Sequence, residues 1–364
     1  MERKLSSVQR ITKLEPIPNA DKILKATVLG WTVVVQRDHF KEGDLCAYVE
    51  IDSILPDKPE FEFLRERKFR IRTIRLKSQV SQGICFPLSI LPKGNYKEGD
   101  DVTSIIGVRK FDPQAELEQK ESDRMSSIHN KRLDKFLLRN AWYRKLMFPP
   151  TRLPWPAFIK KTDEDRIQLF PGICEREKDT EFQVTEKIDG QSATYFVLRN
   201  HRKWMFWSKW IFGVCSRNFQ LTKPDNSSYW DVARKYRIKE IMISEAELLM
   251  CKELVVQGEI IGPKIQGNKY KVKENELFVF NMSYDGKKTS PTGVAYWCDT
   301  VDLPCVPVLE GRFNLLPSIP EMVEYAKGES ELAPVLREGI VVRNMVKNIS
   351  FKVINPEFLL AHNE

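Results

Sequence analysis

A lysine flanked by carboxylates lies in the segment of the chain whose residue types are best suited to chemistry. This segment is Val184-Thr185-Glu186-Lys187-Ile188-Asp189-Gly190-Gln191-Ser192, and residues 194–198 after it have the pattern of a strand. Gly190 favours a tight turn next to Lys187. A lysine held there can attack the α-phosphate of a nucleotide if it loses its proton and a metal assists at the phosphates. A solvated surface hairpin would have the same composition, so this segment alone leaves both interpretations open.

Further polar residues follow Lys187 in a regular order. Arg217 lies 30 residues after Lys187, Glu259 72, Glu338 151 and Lys352 165. The segments around them, together with one aromatic segment, are residues 213–218, 257–263, 278–281, 337–343 and 350–355. In this order, the six segments resemble motifs I, Ia, III, IIIa, IV and V of the covalent nucleotidyltransferase superfamily, which comprises DNA ligases, RNA ligases and mRNA capping enzymes. One such motif is a weak signal, but the complete order is a strong one.

The amino-acid sequences of the motifs resemble those of one branch of this superfamily. Thr185-Glu186-Lys187 and Gly258-Glu259-Ile260-Ile261-Gly262-Pro263 are similar to the ATP-dependent RNA ligases. Residues 161–168 resemble a stretch that precedes the nucleophile in the RNA ligases with an N-terminal OB-fold. This chain is similar to the N-terminal module of that branch at residues 18–22, 43–52, 69–75 and 79–83. The resemblance implies an OB-fold followed by an adenylation domain.

The resemblance also implies a role for each matching residue. Lys187 would be the nucleophile that forms a lysyl-adenylate, Lys352 would contact the α-phosphate, and Glu338 would face the catalytic metal. The residues implied to bind ATP are Arg166, Glu186 (through its backbone), Asp189, Arg217, Glu259, Phe280 (by stacking on adenine) and Lys352. The resemblance also implies that Glu338 and Glu259 are the metal residues, with Glu259 contacting the ribose or a metal-bound water, and carboxylate oxygens suit Mg²⁺ or Mn²⁺. Without the motif order, the charged residues could simply be exposed surface charges, and Phe280 could be an ordinary core phenylalanine.

Motif V departs from the pattern of the family. Many members carry Lys-x-Lys there, whereas this chain has Lys352 followed two positions later by Ile354. The second phosphate contact is therefore in question. Arg343 or Lys347 would replace it only if the turn at 346–348 brings either residue into the pocket.

The N-terminal part of the chain is predicted to be a small β-barrel. Up to about residue 111, short apolar runs alternate with turn residues, and Lys-Glu-Gly-Asp occurs at 41–44 and again at 97–100, each time just before a strand pattern. A barrel of about a hundred residues is typically an OB-fold, a fold that binds nucleic acids. We therefore predict an OB-fold over residues 1–111.

Residues 112–364 are predicted to form a linker and a second domain. Residues 112–157 are rich in polar residues and then mix cations with leucine at helical spacing, which indicates a helical linker. From residue 158, a helix is predicted over 231–253 and strands over 254–261, 277–282, 340–343 and 349–354. The predicted class is α+β, with an antiparallel nucleotidyltransferase domain at 158–364.

Cations are concentrated in one part of the predicted barrel. Residues 65–77 contain seven Lys and Arg residues against the single acid Glu66. We predict that Lys68, Arg70, Arg72 and Arg75 contact the phosphates of a nucleic acid, since such contacts do not depend on base sequence. A charged edge strand protected against aggregation is the alternative.

Composition limits the class of protein and its surroundings. The chain has 364 residues, a net charge of +8 and 42% hydrophobic residues, which favours a folded protein with a polyanionic partner. No apolar run approaches the ~20 residues of a membrane span, and no signal peptide is apparent. Seven scattered cysteines without a CxxC pair predict reduced thiols. We expect an intracellular, cytoplasmic monomer that does not bind membranes.

The function that these observations favour is ATP-dependent ligation of RNA. The enzyme would join 3′-OH and 5′-phosphate ends, as at nicks in RNA or an RNA-containing duplex, with a separate enzyme supplying any end healing. One alternative is a capping guanylyltransferase or a DNA ligase, in which an OB-fold usually follows motif V, whereas 12 residues follow Lys352. The other is a non-catalytic nucleic-acid-binding protein, which the joint presence of Lys187, Glu259, Glu338 and Lys352 argues against.

Overall fold

The computed structural model describes residues 4–111, 152–200, 209–222 and 225–362. The first range forms a β-rich unit and the others form a larger unit of two sheets with helices. The strands and helix of the first unit are β1 (Ser6–Ile17), β2 (Ala20–Val28), β3 (Trp31–Gln36), β4 (Leu45–Val49), β5 (Ser53–Ile54), β6 (Arg70–Ile71), β7 (Thr73–Leu76), β8 (Gln79–Gln82), β9 (Ile84–Pro87), α1 (Thr103–Ile106) and β10 (Arg109–Lys110).

Alternating apolar residues close the first unit around one core. Its main sheet has the strand order β3-β2-β1-β4-β9, and β10-β5-β6 and the β7-β8 hairpin complete it. Val8, Trp31 and Tyr48 are fully buried in this core. Residues 68–76 do not form one continuous strand, because Lys68 and Phe69 adopt positive φ angles of 54° and 59° and Arg72 separates β6 from β7. The cations at 68, 70 and 72 therefore do not alternate along a single strand.

The larger unit consists of two antiparallel sheets and six helices within the described residues. Its elements are β11 (Arg152–Pro154), α2 (Ile173–Arg176), β12 (Glu181–Lys187), β13 (Gln191–Arg199), β14 (Trp210–Cys215), β15 (Phe219–Leu221), α3 (Ser228–Lys235), α4 (Ile238–Leu248), β16 (Glu253–Ile261), β17 (Glu276–Tyr284), β18 (Lys287–Lys288), α5 (Pro291–Thr300), β19 (Val308–Asn314), α6 (Ile319–Tyr325), β20 (Gly339–Asn344), β21 (Ile349–Ile354) and α7 (Pro356–His362).

The two sheets of the larger unit differ in size and carry different motifs. One has the order β11-β15-β14-β13-β16-β17-β18 and the other β19-β12-β20-β21. Helices α3, α4 and α5 cover the larger sheet, and α6 packs on the smaller one. Motif I therefore ends a strand of the smaller sheet, whereas motifs III and IIIa lie on neighbouring strands of the larger sheet. The α+β class predicted from the sequence is confirmed.

Two sequence predictions differ from the structure. The helix predicted over 231–253 is divided into α3 and α4, because Arg237 adopts a left-handed φ of 50° between them. Of the predicted helical linker, residues 112–151 lie outside the described residues, while 152–154 form β11 and pair with β15. The domain limits 1–111, 112–157 and 158–364 remain predictions.

The two units share a buried contact. Ile354, Phe358 and Leu359, at the C-terminal end of the larger unit, belong to the same buried cluster as the core of the first unit. The backbone N–H of Gly30 donates to the carbonyl of Gln168 at 3.0 Å. A Cβ at Gly30 would lie 2.8 Å from the Cα of Gln168, so only glycine permits this approach. Within the described residues, no helix is both long and apolar enough to cross a bilayer.

Candidate active site

Strand pairing brings motif I next to motif IV. β12 runs antiparallel to β20 with Lys187 opposite Gly339, and Glu338 immediately precedes β20. As a result, Lys187 Nζ lies 2.6 Å from Glu338 Oε2, although the two residues are 151 positions apart in the chain. Both side chains are partly buried. The predicted nucleophile and the predicted metal ligand thus form one ion pair.

Motif III lies near the Lys187–Glu338 ion pair. Glu259 pairs with Ser192 across β16 and β13, just after the turn that follows Lys187. Burial raises the pKa of Glu259 to about 8, against the opposing influence of Lys187. Burial also raises the pKa of Glu338, again opposed by Lys187. Two carboxyl groups therefore lie in a partly buried site beside Lys187.

Lys187, the predicted nucleophile, is protonated in this arrangement. Burial disfavours the ammonium form of Lys187, but the carboxylates of Glu338, Glu259 and Asp189 outweigh this effect and raise the pKa of Lys187. The amine must therefore give up a proton before it can attack an electrophile. Charge from a bound ligand or metal that neutralises the carboxylates would favour this loss.

Gly190, in the turn after Lys187, is required because the backbone of this turn lies very close to β16. A Cβ at Gly190 would lie 2.4 Å from the carbonyl oxygen of Ile260 and 2.9 Å from Glu259 Cγ. The turn of motif I can therefore lie directly on the strand of motif III. A side chain there would separate Lys187 from Glu259.

Motif V reaches the site together with an arginine that precedes the nucleophile. Arg166 forms a parallel β-bridge with Lys352, and the N–H of Lys352 donates to the carbonyl of Asp165 at 2.8 Å. Arg166 is 5% exposed. Its Nη2 donates to Asp52 Oδ2 of the first unit at 2.7 Å, while its Nε and Nη1 have no hydrogen-bond partner among the described residues. The structure therefore brings the backbones of Arg166 and Lys352 together.

A carboxylate that the sequence analysis did not single out lies among these cations. Asp163 accepts hydrogen bonds from Arg217 Nη2 at 3.1 and 3.2 Å, and Lys110 of β10 lies 3.7 Å away. Burial opposes ionisation of Asp163, but Arg217, Lys110 and Lys352 outweigh it and lower its pKa. A carboxylate thus lies where the predicted phosphate-binding cations converge.

The predicted adenine contacts lie on neighbouring elements. Phe278 and Phe280 of β17 pack in a cluster with Ile188. The N–H of Glu186 donates to the carbonyl of Pro307 at 2.9 Å. The carboxylate of Glu186 is buried away from Lys187, where it accepts from the N–H of Glu331 at 2.9 Å, and burial raises its pKa.

Neither candidate for the missing motif-V lysine joins the Lys187–Glu338 pair. Arg343 pairs with Glu164 at 3.2 Å and donates to the carbonyl of Phe280 at 3.2 Å. Lys347 pairs with Glu177 at 2.8 Å. Ile354 is buried in the core shared with the first unit. The cation next to Lys352 is Arg166 instead.

The cations predicted to bind nucleic acid have varied surroundings. Arg75 pairs with Glu357 of α7 at 2.6 Å, and the Arg70 guanidinium lies 3.6 Å from the centre of the Phe111 ring. Lys68 is exposed at the end of a short 3₁₀ segment, and Arg72 is half-buried. Arg75 therefore lies at the contact between the two units, whereas Lys68 is open to solvent.

The structure also brings forward residues that the sequence analysis missed. Lys269 and Tyr270, in the loop after β16, contact Asp189, and Asp52 contacts Arg166. The available signal for the loop was Gly267-Asn268, which marks a turn but does not identify what the turn contacts. Among the described residues, no three His, Cys, Asp or Glu side chains form a metal-binding cluster.

Comparisons with known proteins agree with this geometry. A family model described as RNA ligase matches residues 180–354, and one described as an OB-fold domain matches residues 5–88. No curated protein sequence matches the chain. Solved structures of a Naegleria gruberi RNA ligase are 28% identical: the form with PPi covers 99% of both chains at a TM-score of 0.78. A mutant with ATP and Mn covers 100% of both chains at 0.79, and a mutant with AMP and Mn covers 98% of both at 0.78.

The predicted resemblance to RNA ligases and the predicted order of the two folds are therefore confirmed. The OB-fold model lies on the first unit, and the RNA ligase model spans motif I to motif V of the second. Over these two ranges the chain matches the models of an RNA ligase and of an OB-fold domain, and along its full length it is similar to a solved RNA ligase.

Proposed function

We propose that this RNA ligase uses ATP to join a 3′-OH end to a 5′-phosphate end through a covalent lysyl-adenylate. The observation that carries the proposal is the 2.6 Å pair of Lys187 Nζ and Glu338 Oε2. A lysine among carboxylates at a strand end is the arrangement needed for attack on a nucleotide phosphate. The ATP, AMP, Mn and PPi in the similar structures fit the substrate, product and metal of such a reaction.

Lys187 carries the first step. After losing a proton, its Nζ attacks the α-phosphorus of ATP, an N–P bond forms, and the bond from that phosphorus to the pyrophosphate oxygen breaks. In the second step, an oxygen of the RNA 5′-phosphate attacks the same phosphorus, and the lysine amine leaves and regains a proton. In the third, the 3′-OH attacks the 5′-phosphate phosphorus, loses its proton, and AMP departs.

The acidic residues suit a hard divalent cation. Glu338 and Glu259 offer carboxylate oxygens in a partly buried site. Mg²⁺ is typically held by one or two carboxylates together with substrate phosphates and water, so a cluster of three protein ligands is not required. Bound there, Mg²⁺ or Mn²⁺ would offset negative charge on the phosphates. Glu338 and Glu259 are the residues that would hold it.

Cations around the cleft are proposed to bind the nucleotide. Lys352 and Arg166 would take the phosphates, with Arg166 filling the place of the second motif-V lysine. The backbone bridge between Arg166 and Lys352 supports this assignment, although Arg166 would have to turn from Asp52 towards the phosphates. Arg217 would exchange Asp163 for the ribose or phosphates, Phe280 would stack on adenine, and Glu186 would contact adenine through its backbone. Asp189 would act beside the nucleophile.

RNA, or a duplex containing RNA, is the proposed nucleic acid, with nicks as the sites of repair. Lys68, Arg70, Arg72 and Arg75 of the first unit remain proposed phosphate contacts, and Arg75 would have to leave Glu357 to make one. We also propose that the enzyme acts as a cytoplasmic monomer and that a separate enzyme heals unsuitable ends. The seven free cysteines are consistent with a reducing compartment.

Transfer of label from nucleotide to protein tests the proposal. The full-length chain is incubated with Mg²⁺ or Mn²⁺ and either α-labelled ATP or α-labelled GTP, and then denatured. We expect label from ATP only, with at least about a 1000-fold loss in Lys187→Ala because the nucleophile is absent. The control Lys239→Ala, at an exposed lysine of α4, should be labelled as wild type.

The other outcomes point to the alternative functions. Label from GTP would favour a capping-type guanylyltransferase, and label from neither nucleotide would favour a non-catalytic RNA-binding protein. Undiminished labelling of Lys187→Ala would refute the assignment of the nucleophile.

A further inference from the structure

The loop between β16 and β17 reaches back over the turn that carries the nucleophile. Gln266 Nε2 donates to the carbonyl of Gly190 at 3.4 Å, and the N–H of Asp189 donates to Tyr270 Oη at 2.9 Å. Lys269 Nζ donates to Asp189 Oδ2 at 2.5 Å. Three hydrogen bonds thus connect this loop, which has no assigned role, to the turn after Lys187.

This loop has a fixed shape. The Asn268 side chain accepts from the N–H of Val272 and donates to its carbonyl, both at 3.0 Å. Gln266, Gly267, Asn268 and Lys271 have positive φ angles of 46°, 71°, 51° and 56°. Residues hold such angles only when the surrounding structure requires them. The loop is therefore suited to fixing the position of another element.

Lys269 is enclosed between the nucleophile turn and the C-terminal helix. Its side chain is 12% exposed and that of Asp189 is 13% exposed. Its Nζ also lies 4.6 Å from the centre of the Phe358 ring, and Phe358 of α7 is 1% exposed in the core of the first unit. Exposed ion pairs contribute little, but an enclosed one with a defined partner on each side constrains its carboxylate.

The pairing of Lys269 with Asp189 changes the charges that act on Lys187. The carboxylates of Glu338, Glu259 and Asp189 all act on Lys187. Asp189 is bound by Lys269, so Lys187 pairs with Glu338. Without the second cation, Asp189 would compete for the ammonium group of Lys187, and its turn would lose one of its three contacts with the loop. The direction of the attacking amine would then be less well defined, and such misplacement slows reactions that depend on alignment.

We propose that Lys269 is a positioning residue for lysine adenylation, which it supports by holding the Asp189 carboxylate and the turn after Lys187. The inference rests on the proposed function, because it assigns a role in the step that Lys187 would carry. Lys269 touches neither ATP nor RNA in this proposal. Its effect is on the rate of the step rather than on the affinity for ATP.

Single-turnover labelling of the full-length chain tests the proposal. The maximal rate of label transfer from α-labelled ATP with Mg²⁺, and the ATP concentration at half-maximal rate, are measured for wild type, Lys269→Met and Lys269→Arg. Methionine keeps the apolar stem against Phe358 but removes the charge, whereas arginine keeps the charge. Lys271→Met is the matched control, because it removes an exposed charge from the same loop.

The expected result separates rate from affinity. Lys269→Met should lower the maximal rate about 10- to 100-fold, with half-saturating ATP within about twofold of wild type. Lys269→Arg should recover to within about fivefold of wild type, because a charge-assisted hydrogen bond to Asp189 is restored. Lys271→Met should match wild type, and the melting temperatures of all variants should agree within about 2 °C.

Three results would overturn the proposal. They are a wild-type rate in Lys269→Met, a raised half-saturating ATP with an unchanged maximal rate, and an arginine variant as slow as the methionine variant. If Lys269→Met melts well below wild type, Lys269→Gln, which keeps a hydrogen bond to Asp189, is judged by the same criteria. Absence of label in the wild-type chain would instead refute the proposed function itself.

Discussion

Among the carboxyl groups in the cleft, Glu259 has a strongly raised pKa. Burial raises its pKa from 4.5 to about 8, so it is mostly protonated at neutral pH in the free protein. A carboxyl group with a raised folded-state pKa contributes most to stability below its unfolded pKa, and that contribution is lost as the pH rises towards 8. The site is thus prepared for a cation that would stabilise the ionised form.

We therefore expect Glu259→Gln to stabilise the free protein at alkaline pH. The gain over wild type should be small near pH 5, grow up to about pH 8 and then level off, with an upper limit of about 5 kcal/mol at 1.36 kcal/mol per pKa unit. Thermal unfolding at pH 5, 7 and 9 measures it. Glu247→Gln is the control, because Lys209 lowers the pKa of Glu247 below 4.5, so its difference from wild type should stay constant between pH 5 and 9. A constant difference between Glu259→Gln and wild type across this range would contradict the prediction.

At the level of elements, the site depends on a turn that lies directly on a strand. The backbone of Gly190 touches β16 beside Glu259, and the loop with Lys269 covers the same turn from the other side. Lys187, the proposed nucleophile, is therefore held by three elements: the end of β12, β16 and the loop that follows it.

Gly190→Ala should disturb this arrangement. Its Cβ would meet the backbone of Ile260 at 2.4 Å, so the turn must move away from β16. Overpacking of this kind costs about 1–3 kcal/mol, and we expect adenylation to fall by more than tenfold. Gly311→Ala in β19 is a suitable control, because its Cβ would meet its nearest neighbour at 3.9 Å. Equal labelling rates for Gly190→Ala, Gly311→Ala and wild type would show that the turn tolerates a side chain.

At the level of the whole molecule, the OB-fold unit is joined to the catalytic unit by ion pairs of different burial. Asp52 contacts Arg166, which lies beside Lys352, at 2.7 Å with the arginine almost fully buried. Arg75 contacts Glu357 at 2.6 Å, but both side chains are exposed. The first pair leads from the barrel to the predicted phosphate site, so the barrel helps to set the geometry of that site.

Loss of these two ion pairs should have unequal effects. Asp52→Ala leaves a buried arginine without its carboxylate, which typically costs about 3–5 kcal/mol, so we expect lower thermal stability and slower adenylation. Arg75→Ala removes an exposed pair that is typically worth about 0–1 kcal/mol, so melting and adenylation should stay near wild type. Calorimetry and single-turnover labelling of both variants provide the comparison. Similar values for the two variants would mean that burial of the Asp52–Arg166 pair has no bearing on the site.

The amino-acid sequence by itself determined the resemblance to RNA ligases, the order of the two units and the residues that end the key strands. Lys187, Glu259, Glu338 and Lys352 are recognisable because each lies in a short motif, and glycine next to a motif marks where the chain must turn. Alternation of apolar residues is a local property of a strand, so the strands that carry these motifs were predictable. The break between α3 and α4 was not, because it depends on the left-handed conformation of Arg237.

The tertiary structure decided which charges meet. Arg166 pairs with Asp52, Lys269 with Asp189 and Arg75 with Glu357, across 114, 80 and 282 positions of the chain. Local patterns specify where a side chain emerges from its own element, but its partner depends on how the two sheets, the loops and the barrel pack together. The proposed replacement of a second motif-V lysine by Arg166, and the proposed support of the turn after Lys187 by Lys269, therefore emerge only from the folded molecule.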